Sequence, residues 1–64
     1  MPSSDVAVLS SASTLLDDLI VRITDVADRY QGTDREGVAF QLHEVERALR
    51  SASRQLESVQ RSLR

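Results

Sequence analysis

Sixty-four residues with no cysteine, one histidine, one tyrosine, one phenylalanine and no tryptophan leave room for one domain, residues 1–64, and exclude most of what a catalytic centre draws on. Apolar residues make up 41% and charged ones 28%, the balance of a folding chain; the net charge of −2 indicates neither a nucleic-acid coat nor an acidic tail. At this length a lone chain buries only ~60% of the surface its unfolded form exposes, and without disulfides or a metal a partner chain is the support that remains.

The chain starts Met1-Pro2-Ser3-Ser4-Asp5, without the basic start of a secretory signal, and no run approaches the ~18 to 20 apolar residues of a membrane span. The expectation is a cytoplasmic protein with no membrane partner. From there apolar residues recur at Leu9, Ala12, Leu16, Leu19, Ile23, Val26 and Tyr30, in alternating steps of three and four. That is a heptad, with Leu9, Leu16, Ile23 and Tyr30 at a and Ala12, Leu19 and Val26 at d, and it predicts an amphipathic helix over 4–31. Ser3 or Ser4 with Asp5 can cap its start, while Ser10-Ser11-Ala12-Ser13 is a weak helix former that invites fraying.

Gly32 can take the left-handed conformation that ends a helix. Thr33 to Glu36 has the spacing of a capping box, the Thr hydroxyl on the Glu36 amide and the Glu carboxylate reaching back. A second heptad then follows at Val38, Leu42, Val45, Leu49, Ala52, Leu56, Val59 and Leu63, predicting a helix over 34–63. So short a connection makes the helices antiparallel neighbours, and the fold class expected is an all-α two-helix hairpin that self-associates into a four-helix bundle. Folding back about residue 32 sets Leu16 against Leu49, Leu19 against Val45, Ile23 against Leu42, Val26 against Val38 and Ala12 against Ala52. An acidic first helix would then lie beside a basic second one, with Asp18/Arg22, Asp25/Arg29, Glu46/Arg50 and Glu57/Arg61 as i,i+4 pairs.

The flanks of the two heptads differ. On the first helix the e and g positions include Val6, Val8, Leu15, Ile20 and Ala27, with Val21 at f; on the second they are mostly Gln41, Glu46, Ser53, Gln55, Gln60 and Ser62. The first helix is too apolar for a single neighbour, so Val8, Leu15, Leu16, Leu19, Ile20, Ile23 and Ala27 are the expected interface, with Leu15 and Ile20 bridging to a second copy of the chain or to another protein.

Arg47, Arg50, Arg54, Arg61 and Arg64 form a stripe at the f and b positions of the second helix that could track phosphates, but Glu44, Glu46 and Glu57 interrupt it, which favours a solvated face over a nucleic-acid partner. Phe40 also points outward and is expected to fold over the turn against Tyr30, with a contact for a partner as the alternative. His43 at b lacks converging ligands, and no Ser/His/acid set, phosphate-binding glycine loop or HExxH motif is present, so no enzyme, metal or other cofactor is expected.

Tyr30-Gln31-Gly32 between two helices, with Phe40 eight residues beyond the glycine, is similar to the Trp-X-Gly turn of the helical hairpins secreted by type VII systems, with Tyr30 where that family carries its Trp. That resemblance implies a secreted hairpin pairing with a different chain. In length and architecture the chain also resembles the Rop type of dimeric four-helix-bundle regulators, which implies RNA binding through the Arg stripe. The residues themselves point first to a non-catalytic interaction or oligomerisation module.

Overall fold

The computed structural model describes residues 2–63; Met1, Arg64 and the side chains of Pro2 and Ser3 lie outside that description, and with them any capping by Ser3 and the Arg64 end of the arginine stripe. Two helices, α1 over Pro2–Tyr30 and α2 over Glu36–Leu63, pack against each other. α1 runs through Ser10–Ser13 without a break, with the Thr14 hydroxyl donating to the Ser10 carbonyl at 3.2 Å. Its start at Pro2 fits a residue whose missing amide costs nothing in a first turn.

Gly32 carries the positive φ, 77°, that closes α1 and reverses the chain. The expected reciprocal cap forms one residue nearer the turn. The Thr33 hydroxyl accepts from the Arg35 amide at 3.2 Å instead of that of Glu36, and the Glu36 carboxylate accepts from the Gly32 amide at 3.0 Å. α2 starts at Glu36, two residues later than the expected start at 34, and Thr33 is drawn back toward α1, where its amide donates to the Tyr30 carbonyl at 3.2 Å.

The hairpin is a rod with extents of 51, 14 and 10 Å and a radius of gyration of 15.0 Å. A globular domain of this length would have a radius of roughly 11 Å. Such a shape encloses little, and what it encloses is not the a/d core that the periodicity suggests. Among the described residues the buried ones are Ile20, Ala27 and Ala39 with Ser53 and Gln60, and no large side chain there is fully covered. Ile20 and Ala27 are e positions of α1, and Ala39, Ser53 and Gln60 are e positions of α2. The helices therefore meet along one edge of their heptads. The Thr24 hydroxyl donates to Glu46 Oε2 at 2.8 Å, and that of Ser53 to Asp17 Oδ1 at 3.3 Å. In both bonds the residue numbers sum to 70, where a fold about residue 32 sets about 64. The predicted facing pairs, Leu16 with Leu49 and Ala12 with Ala52 among them, are thus displaced along the axis and turned out of the seam.

Candidate interaction surface

Turning the seam onto the e positions decides where the aliphatic stripes go. Moving round each helix away from the seam, burial broadly falls from e to a to d to g: Ile20 at e is buried, Leu16 and Ile23 at a are half-buried, Leu19 at d is exposed, and Leu15 at g is more exposed still, at 66%. α2 repeats the gradient from Ala39, Ser53 and Gln60 at e, through half-buried Leu42, Leu49 and Leu56 at a, to exposed Val45 and Val59 at d. In an antiparallel pair whose helices both use their e edges, the two a/d stripes turn to the same side. The hairpin thus carries one continuous aliphatic face along both helices, open to solvent down its middle.

The expected interface residues separate on this geometry. Ile20 and Ala27 are buried inside the hairpin's own seam, because the e edge faces α2. Leu16, Leu19 and Ile23 lie on the open face, and Val8 and Leu15 on its α1 margin. Sequence reasoning missed the polar side of the seam, the b and e residues Asp17, Thr24, Glu46 and Ser53, whose contacts leave no periodic mark.

Glu46 is the electrostatic centre of that seam. Its side chain is only 16% exposed; it accepts from Thr24, from Arg50 Nε at 3.1 Å and from the Arg50 terminal nitrogen at 2.9 Å, with His43 Nδ1 at 3.6 Å. The Thr24 hydroxyl, and after it the Arg50 guanidinium, hold this carboxyl below its usual range, since both favour the charged form. At the open end of the rod the Gln60 amide nitrogen is buried without a hydrogen-bond partner, near Ser13 and Asp17.

On the opposite, polar face Arg47, Arg50, Arg54 and Arg61 are all exposed. Two of the four are held by neighbours on their own helix, Arg47 by Glu44 at 3.3 Å and Arg50 by Glu46. Asp18 and Arg22 meet at 2.9 Å, whereas the expected Asp25/Arg29 and Glu57/Arg61 pairs do not close to ion-pair distance, and no ion pair among the described residues crosses between the helices. Hydroxyl–carboxylate bonds take that place. Phe40 stays 68% exposed and does not fold over the turn; the Tyr30 ring instead has the Arg35 guanidinium 5.7 Å from its centre. No helix among the described residues is long and apolar enough to cross a membrane. No family model, curated protein or solved structure matches this chain.

Proposed function

We propose that this chain is a non-catalytic interaction and oligomerisation module: one half of a four-helix bundle, completed by a second copy docked on its aliphatic face. The observation that supports this reading most directly is where the hairpin spends its aliphatic residues. Its own seam covers one isoleucine and two alanines, while Leu15, Leu19, Val45 and Val59 stay 44–66% exposed. In a bundle of four, each helix points its a/d residues at the central axis and meets its two neighbours with the flanking positions on either side. Both helices here already use one flank against each other and leave a/d free, which is the arrangement of a half bundle.

The size of the face also suits a second copy. A rod 51 by 14 Å presents a footprint of roughly 700 Å² per copy, so pairing would bury about 1,400 Å² in total, within the usual range of stable protein interfaces. Covering apolar surface of that extent is worth far more than the polar seam can supply.

Sedimentation tests the proposal. The purified chain is expected at twice its mass of 7.1 kDa. Leu19→Arg, which puts a charge at the middle of the face, should give monomer or unfolded chain, whereas Val21→Arg, at an exposed f position of α1 turned away from the face, should sediment as the parent does. A parent chain of monomer mass with a cooperative melt would overturn it.

A further inference from the structure

The two outer flanks of the face differ in size, and that difference fixes how two copies can fit. The margin of α1 carries Val8 and Leu15, exposed by 63% and 66%, together with Arg22. The margin of α2 holds small or slender residues at the same g positions, Gln41, Ala48, Gln55 and Ser62, with Ser51 and Ser58 beside them at c, all exposed or half-buried. We infer that the paired hairpins run the same way, turns at the same end, so that each α1 lies beside the α2 of the second copy and sets Leu15 and Val8 into gaps between its small residues. This rests on the two-copy reading above.

Two relative orientations keep the aliphatic faces together under a two-fold axis. If the axis runs along the rod, heights are preserved and α1 of one copy neighbours α2 of the other. In the register set by the Thr24–Glu46 and Asp17–Ser53 bonds, Leu15 then comes level, to within one helical turn, with the hole framed by Ala48, Ser51, Ala52 and Gln55 of the second copy. These four stand at i, i+3, i+4 and i+7, the spacing of a hole that receives one knob. Val8 is placed in the same way over Ser58 and Ser62, and Arg22 comes beside the opposite charge of Glu44. If the axis runs across the rod, the turns lie at opposite ends and α1 neighbours α1. With that axis at the middle of the rod, Leu15 comes level with Asp18, Leu19 and Arg22 of the second copy, where no small residue leaves a gap, while the two α2 margins bring small against small. Helix separation follows side-chain size at the contact, so that arrangement spreads one pair of helices and crowds the other. The first arrangement puts large against small on both sides and keeps the separations equal.

The chain has no cysteine, so a single Asp34→Cys at the tip of the turn accepts one nitroxide label per copy, clear of both helices. Pulsed dipolar spectroscopy on the labelled protein, with its mass measured by sedimentation in the same buffer, separates the cases. Same-end turns give a label distance under about 30 Å at dimer mass. Turns at opposite ends of a 51 Å rod give about 50 Å or more, or no resolved coupling, at dimer mass; that result overturns the orientation and leaves the two-copy reading standing. Monomer mass overturns both.

Discussion

Ile20 is the one branched aliphatic side chain buried among the described residues. Cutting it back removes most of the hydrocarbon that the seam holds, and in a seam otherwise made of alanine and polar groups the neighbours cannot repack from a larger core. Ile20→Ala is therefore expected to cost about 2–3 kcal/mol, read from the denaturant midpoint. Glu46 supports the same seam through charge. Its lowered pKa means that the folded state holds the carboxylate more tightly than the unfolded chain does. This contribution is fully present above the ordinary value of 4.5 and is lost as pH falls through the folded value. Thr24→Val keeps the shape and removes the leading cause of the shift. The Glu46 carboxyl, followed by NMR titration, should then move up toward its ordinary range, and the stability of the variant should fall less between neutral and acid pH than that of the parent. An unmoved titration would show that the Thr24 contact does not bear on the charge.

At the scale of the elements, the turn and the helices were legible in the residues that make them. A three-and-four step in apolar positions has no other regular solution, and Gly32 followed by Thr33 and Glu36 marks a stop and a start within a few residues. The glycine acts through backbone conformation alone: a Cβ built there meets nothing within 4 Å, yet φ is 77°. Gly32→Ala should accordingly cost about 1–2 kcal/mol from left-handed strain, while Gly37→Ala, in ordinary helical geometry and equally open space, should stabilise by up to about 1 kcal/mol. Thermal melts of the two variants at equal concentration test the contrast.

The seam was not legible, and the reason is physical. Periodicity says which face of a helix is apolar but not what that face meets. In a hairpin the two stripes can close on each other or turn together to one side. The choice is set by contacts with no period of their own, such as Asp17 with Ser53, and by the small e residues Ala27 and Ala39. The open aliphatic face was anticipated in kind, as a surface too wide for one neighbour. Its position was not: Ile20 and Ala27, expected to flank it, lie buried in the seam instead.

For the whole molecule, the proposed pairing ties stability to concentration. If the second copy supplies the cover that the rod lacks, the melting temperature should rise steadily as the chain is concentrated, since mass action favours the assembled state. A midpoint that stays fixed across a hundredfold range would speak against a shared core. The order of burial within one copy has a separate consequence for how the rod opens. The buried apolar residues among those described, Ile20, Ala27 and Ala39, all lie in the half nearer the turn, while the buried residues of the far half are Ser53 and Gln60 with its unpartnered amide. Backbone amides near Leu9 and Leu56 should therefore trade their protons for deuterons well before those near Ile23 and Leu42, so that the rod unzips from its free ends toward the loop.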